Sequence, residues 1–107
     1  MVDLELNELK REFLDEAREK VAEMQTAIES PRNGQSLDRL AYLAHQLKGA
    51  GGSYGYERIS TDAAEVEKAV ESLVEQQNNE GDALEHKIQQ HVVNLQAEID
   101  RSARELA

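Results

Sequence analysis

The residues whose types and spacing could carry out a chemical reaction lie in one segment, from His45 to Gly55. This segment has the sequence HQLKGAGGSYG, so a lysine follows the histidine by three residues and glycines follow it by four and by seven. A neutral imidazole is a nitrogen nucleophile near physiological pH, and it can accept a phosphoryl group as a phosphoramidate. Lys48 stands one helical turn from His45, where it can offset the charge of phosphoryl oxygens. The spacing therefore indicates phosphoryl transfer.

The glycines indicate that space beside the imidazole is kept open. Each glycine inside a helix costs roughly 0.5–1 kcal/mol relative to alanine, so a cluster of them needs a reason. On a helical projection His45 falls about 120° from the centre of the apolar stripe, and Lys48, Gly49 and Gly52 fall within about 60° of His45. We therefore expect an exposed His45, with Gly49 and Gly52 giving clearance to a docking protein, whereas Gly51 projects toward the other helices.

Four amphipathic helices must position this segment. Apolar residues recur at steps of three or four residues over four stretches, which is the period of one helical face. They are Leu6, Leu9, Phe13, Ala17, Val21, Met24 and Ile28; Leu37, Leu40, Ala44, Leu47 and Gly51; Ile59, Ala63, Val66, Val70 and Leu73; and Leu84, Ile88, Val92, Leu95 and Ile99. The first helix is predicted from about Asp3 to Glu29 and the third from about Glu57 to Gln77, and the fourth ends near Glu105.

Turn and capping residues separate these helices. Pro31 and the Asn33-Gly34 pair, which favours positive backbone dihedrals, end the first helix. Ser36 has the character of an N-cap for the second helix. Residues 78–81 form a turn, after which Asp82 opens the fourth helix as the first residue of a capping box.

The aromatic residues near this segment have two possible places. Phe13 can pack in the core or belong to an apolar docking surface on the first helix, and we expect the core. Tyr54 and Tyr56 can rim the docking surface or fill the junction between the second and third helices, and we expect the junction. Gly55 lies near the same junction.

Length and composition favour a single domain over residues 1–107. The chain has 107 residues, of which 39% are hydrophobic, and this is enough for one modest core. Strand-forming residues are scarce and helix formers are abundant. Four helices with short connections and one apolar stripe each pack most simply as an antiparallel four-helix bundle, so the predicted fold class is all-α.

The charge of the chain disfavours several classes of partner. Lysine and arginine number 12 against 22 acidic residues, for a formal charge of -10, so nucleic acid and anionic membrane surfaces should be repelled. The chain has no cysteine, which removes disulfides and thiolate metal sites. We find no apolar run long enough for a membrane span and no signal peptide, and we expect a cytoplasmic protein.

A known family shares these features. The residues Ala44-His45-Gln46-Leu47-Lys48-Gly49, with Gly52 and Gly55 after them, resemble the signature of histidine phosphotransfer (HPt) domains. The similarity extends to FLDEA at 13–17 and to AEVEKA at 64–69, so it covers the whole chain.

The resemblance implies specific roles at the segment. His45 would be the phosphorylated residue, Lys48 its phosphate-stabilising neighbour, and Gly49 and Gly52 the clearance for a receiver domain. In such domains the histidine accepts phosphate from a receiver's aspartyl phosphate or from a histidine kinase and passes it on. The resemblance therefore implies a phosphocarrier rather than an enzyme, without metal or cofactor of its own, because the receiver contributes the magnesium. We expect a monomer.

Other functions stay open on the residues alone. The chain could be a helical bundle that acts only as a protein-interaction module, in which Gly49 and Gly52 permit close helix packing. A small hydrolase or metal-dependent enzyme using His45 is a third hypothesis, but no hydroxyl can be given a base and an orienting acid. His86 and His91 are five residues apart on one helix, a spacing that suits no paired metal site, and we expect both to be structural.

Overall fold

Four α-helices make up the part of the chain that the structure describes. A computed structural model describes residues 4–30, 34–75 and 81–106. The helices are α1 (Leu4–Glu29), α2 (Gly34–Ser53), α3 (Glu57–Glu75) and α4 (Gly81–Leu106), and no strand occurs in these ranges. The predicted all-α class and the order of the four helices are confirmed.

The helices pack side by side in alternating directions. α1 contacts α2 and α4, and α3 contacts the same two helices, so the four surround one core. Arg11 near the start of α1 donates a hydrogen bond to the carbonyl of Leu106 at the end of α4 (3.2 Å), and Gln25 near the end of α1 bonds Gln96 (2.8 Å). This register makes α1 and α4 antiparallel. The bundle therefore has the predicted architecture.

The predicted apolar stripes form the core, with two corrections. The fully buried side chains include Leu14 and Leu43, which the spacing had not placed on the stripes. Leu6 and Leu9, which the spacing did place there, are 40% and 47% exposed. The reason is that Arg11 already lies level with Leu106, so the first turns of α1 extend beyond the end of α4 and have no helix to pack against on that side.

Two helix starts differ from their predicted positions. α2 begins at Gly34, so Ser36 is its third residue and not its N-cap, and Gly34 has no positive φ. α4 begins at Gly81, so Asp82 lies inside its first turn and does not precede it. The helix dipole still favours an acidic residue there. Pro31, Asn33 and residues 76–80 lie outside the described residues.

The connection between α2 and α3 is a compact C-cap centred on Gly55. Gly55 has φ +83°, its N–H bonds the carbonyl of Gly52 (3.2 Å), and the N–H of Tyr56 bonds the carbonyl of Gly51 (2.8 Å). These two bonds define a Schellman motif, which requires a residue with positive φ at this position. The motif ends α2 and lets α3 begin at Glu57.

Three aromatic rings pack at this connection. Phe13 is 6% exposed, and its ring stacks on those of Tyr54 and Tyr56 at centroid distances of 5.1 and 5.8 Å. The expected core position of Phe13 and the expected junction position of the two tyrosines are thus observed. No helix in the described ranges has the length and apolarity to cross a membrane.

Candidate functional site

His45 lies on the exposed face of α2. The helix turns Leu40, Leu43, Ala44 and Leu47 into the core, and each of these is at most 3% exposed. The His45 side chain, on the far side of the helix, is 67% exposed. The sequence-based prediction of an outward-facing histidine is therefore confirmed, and a second protein can reach its ring.

A carboxylate on α3 binds both His45 and Lys48. Oε2 of Glu67 lies 2.8 Å from Nδ1 of His45, and Oε1 of the same carboxylate lies 2.9 Å from Nζ of Lys48. The Glu67 side chain is only 17% exposed, because α2 covers it. One carboxylate thus bridges the two α2 side chains that the sequence singles out.

The bridging carboxylate is held in its ionised form. The hydrogen bond from Lys48 is the largest influence on the pKa of Glu67, and together with the hydrogen bond from His45 it lowers this pKa below its ordinary value of 4.5. Partial burial acts in the opposite direction, and the two hydrogen bonds outweigh it. Glu67 therefore carries a negative charge at neutral pH.

An ionised Glu67 decides which nitrogen of His45 carries the proton. An ionised carboxylate can only accept hydrogen bonds, so the 2.8 Å contact requires a proton on Nδ1. A neutral imidazole with its proton on Nδ1 has its lone pair on Nε2. The atom left free for nucleophilic attack is therefore Nε2.

The glycines of α2 fall into two kinds. A β-carbon at Gly49 would meet nothing within 4 Å, and one at Gly52 would meet only Oγ of Ser60 at an ordinary 3.7 Å. Both glycines are exposed, on the same side of α2 as His45. A β-carbon at Gly51 would lie 3.2 Å from the backbone nitrogen of Ser60 and 3.3 Å from Ile59. Gly51 thus permits the close approach of α3, whereas Gly49 and Gly52 leave open space.

Ser60 fixes α3 against this part of α2. Its Oγ donates a hydrogen bond to the backbone carbonyl of Lys48 (2.8 Å). This carbonyl lies inside the helix, since α2 continues to Ser53. The close contact at Gly51 and this bond hold the two helices in one register. That register is what brings Glu67 level with His45.

The other histidines lie on α4. His91 is partly buried, and its Nδ1 lies 2.8 Å from Oδ1 of Asp62 on α3, while His86 is exposed. The His91 contact joins two helices, in agreement with the structural role expected for it. Within the described ranges no three His, Asp or Glu side chains are grouped so as to hold a metal ion.

Sequence reasoning did not assign a role to Glu67. The residue appears in the sequence as one of several acidic residues on the third helix, and only the register between α2 and α3 distinguishes it. The available signal was an acidic residue on the stripe of α3 that faces α2. This signal can be recognised only when it is known that α3 packs against α2.

Comparison with known proteins gives one finding. A protein-family model described as the Hpt domain matches residues 8–105 of the 107-residue chain. Neither the curated proteins nor the solved structures gave a match. The matched range includes all four helices apart from the first turn of α1 and the last residue of α4.

Proposed function

This chain belongs to the Hpt domain family, whose members act in histidine phosphotransfer, and on that premise we propose that His45 is its phosphorylated residue. Hpt domains interact in general with receiver domains and histidine kinases. We assign residues 1–107 to one such domain. It accepts a phosphoryl group from a receiver's aspartyl phosphate, or from a kinase, and passes it on. The 2.8 Å contact between Nδ1 of His45 and Glu67, on a largely exposed ring, supports this assignment most directly.

The transfer step forms one bond and breaks one. Nε2 of His45 attacks the phosphorus, the nitrogen–phosphorus bond forms, and the bond between phosphorus and the aspartyl oxygen breaks. The leaving group is the aspartate carboxylate of the receiver. In the reverse direction the same carboxylate attacks and His45 leaves as the neutral imidazole.

Glu67 compensates the charge that this step creates on the ring. When the Nε2 lone pair binds phosphorus, the imidazole becomes cationic and its Nδ1 proton becomes more acidic. The carboxylate 2.8 Å away stabilises that charge through the hydrogen bond from Nδ1–H, as a carboxylate does for a catalytic histidine elsewhere, and the proton stays on Nδ1. Glu67 is thus a positioning residue that also favours the phosphorylated state.

Lys48 is assigned to the phosphoryl oxygens. In the unphosphorylated protein one of its three N–H donors is used by Glu67, and its side chain is 40% exposed. The two remaining donors can bind phosphoryl oxygens without releasing the carboxylate. Gly49 and Gly52 then leave room for the receiver's aspartate to approach the ring, and the receiver would supply the magnesium ion that offsets the charge of the phosphoryl group.

Transfer from a labelled receiver tests this function. The wild-type protein, mixed with a receiver domain carrying radioactive aspartyl phosphate, should acquire label that is stable in base and lost in acid. His45→Gln should acquire none. His91→Gln is the matched control, since it also removes a histidine bound to a carboxylate, and it should be labelled like the wild type. Equal labelling of His45→Gln would overturn the assignment.

A further inference from the structure

An exposed tyrosine stands one helical turn before His45. The Tyr42 side chain belongs to the few large hydrophobic residues that the described structure leaves exposed, at 52%. Three residues of helix correspond to a rise of roughly 4.5 Å, so Tyr42 occupies a position next to His45 on the exposed side of α2. On the other side of His45 lie Gly49 and Gly52, which have no side chain to offer a partner, and Lys48, which is assigned to the phosphoryl oxygens.

Contacts from two directions hold the Tyr42 ring in place. Nε2 of Gln46 donates a hydrogen bond to the Tyr42 hydroxyl (2.7 Å), and the guanidinium of Arg39 lies 5.5 Å from the ring centroid. Arg39 is itself fixed by Glu23 on α1, with nitrogen–oxygen distances of 2.8 and 2.9 Å. An exposed ring that is already ordered loses little side-chain freedom when a partner covers it. This is the property of an interface anchor.

A partner that reaches His45 must also cover Tyr42. A stable protein interface buries about 800 Å² on each side, which extends roughly 16 Å from its centre. Tyr42 falls well inside that radius. Tyrosine and arginine are among the residues that contribute most binding energy near interface centres. Because glycines and the cationic Lys48 occupy the other side of the imidazole, Tyr42 is the large apolar side chain on α2 that the partner can bind beside His45.

A groove between α1 and α2 lies beside Tyr42 and contains one uncompensated charge. Its charged residues are Glu16, Glu19, Lys20, Glu23 and Arg39. Lys20 pairs with Glu16 and Arg39 pairs with Glu23. Glu19 forms no ion pair within the described residues, so the groove offers one exposed carboxylate to an incoming cation.

We propose that Tyr42 is the anchor on which the receiver domain binds this protein, and that the receiver places a lysine or arginine against Glu19. The inference rests on the proposed function, because it requires that a second protein covers His45. It adds the place of docking and the chemistry of the receiver surface: a side chain packed on the Tyr42 ring with a basic residue next to it. The charge of -10 on the whole chain attracts the same basic surface from a distance.

The test measures transfer rate against receiver concentration. The receiver domains of the source organism are phosphorylated with acetyl phosphate, and the one that transfers fastest to the wild type is used. Tyr42→Ala should raise the concentration for half-maximal rate about tenfold or more and leave the rate at saturation within about twofold, since the ring contributes to binding and not to the phosphoryl transfer. The half-maximal concentration of Tyr42→Phe should lie between those of the wild type and Tyr42→Ala, because this variant keeps the ring and loses the hydrogen bond to Gln46.

Matched controls separate docking from general effects. Val93→Ala removes a similarly exposed apolar side chain (57%) from α4, which lies across the core from α2, and should transfer like the wild type. Glu19→Lys should raise the half-maximal concentration several-fold and weaken its dependence on salt, whereas Asp82→Lys, with the same change in net charge at the start of α4, should not. Thermal unfolding verifies that each variant is folded.

The outcomes distinguish this inference from the function on which it rests. If no receiver transfers phosphate to the wild type, the proposed function fails. If the wild type is phosphorylated and Tyr42→Ala has the same concentration dependence as Val93→Ala, the proposed function stands and the docking inference is overturned. If Tyr42→Ala raises the half-maximal concentration but Glu19→Lys behaves like Asp82→Lys, the Tyr42 anchor stands and the inference of a basic receiver residue against Glu19 is overturned.

Discussion

The imidazole of His45 owes its orientation to a carboxylate on another helix. Glu67 binds Nδ1 of His45 at 2.8 Å and Nζ of Lys48 at 2.9 Å, and the two bonds lower its own pKa. A ring that is 67% exposed would otherwise exchange between tautomers and rotamers. The bridge therefore leaves the lone pair of Nε2 exposed, as the proposed attack requires.

Removing the charge of Glu67 should slow transfer without unfolding the protein. In Glu67→Gln the Nδ1 proton loses its anionic acceptor and the cationic ring loses its stabilising charge, so we expect the saturating transfer rate to fall about tenfold or more. The rate can be measured by quenched-flow phosphotransfer. Asp62→Asn, which changes the equivalent contact at His91, is the control and should leave the rate unchanged. A Glu67→Gln variant as fast as the wild type would contradict the assigned role.

The lowered pKa of Glu67 also predicts a pH dependence of stability. Its folded-state pKa lies below its unfolded value, so its ionised form stabilises the fold above about pH 4.5, and this contribution is lost as the pH falls through the folded-state pKa. The difference in unfolding free energy between wild type and Glu67→Gln should therefore shrink from about pH 7 to about pH 3. Urea unfolding at several pH values measures it. A difference that grows on acidification would contradict the prediction.

At the scale of the helices, α2 has one face packed in the core, one packed on α3 and one exposed face, which is the face proposed to bind a partner. Gly51 permits the contact with α3, while Gly49 and Gly52 leave the partner face open. Gly55 ends the helix with φ +83°. Glycines that are neighbours in the sequence are thus required or tolerated for three different structural reasons: close helix contact, open space and a positive φ.

Alanine at Gly51 and at Gly49 should have opposite effects on stability. At Gly51 the added methyl group would meet the backbone of Ser60 and the side chain of Ile59 within 3.3 Å, and we expect a loss of about 1–3 kcal/mol. At Gly49 it would meet nothing within 4 Å, and the better helix propensity of alanine should add up to about 1 kcal/mol. Chemical denaturation gives both values. Equal effects would contradict this account of the glycines.

Alanine at Gly55 should destabilise the protein for a different reason. The position has φ +83°, where a β-carbon is strained even though nothing lies within 4 Å of it. We expect a loss of about 1–2 kcal/mol in unfolding free energy. Replacement by asparagine, which tolerates positive φ better, should lose less. A Gly55→Ala protein as stable as the wild type would show that the Schellman motif is not required.

The sequence predicted the helices well and their mutual contacts poorly. The periodicity of the apolar residues places all four helices, and the projection of α2 correctly exposes His45. The starts of α2 and α4 were misplaced because residues such as Ser36 and Asp82 are favourable both at the N-cap and inside the first turn, so their presence does not distinguish the two positions. The role of Glu67 could not be predicted, since a contact between two helices depends on their register, which periodicity does not contain.

At the scale of the whole molecule, the antiparallel bundle makes the site possible. α2 and α3 run in opposite directions and are held in register at Gly51 and Ser60, so Glu67 meets His45 about two turns further along. α4 lies across the core from α2, and the backbones of these two helices do not approach each other closely among the described residues. The face with His45 is thus free for a partner, while the opposite helix completes the core.

The most direct test of this account identifies the atom that carries the phosphoryl group. The protein is labelled with ¹⁵N-histidine, phosphorylated by a receiver domain, and studied by NMR for coupling between phosphorus and the ring nitrogens of its three histidines. We predict coupling to Nε2 of His45 alone, with Nδ1 still bonded to Glu67. Coupling to Nδ1 of His45, or to a nitrogen of His86 or His91, would contradict the account.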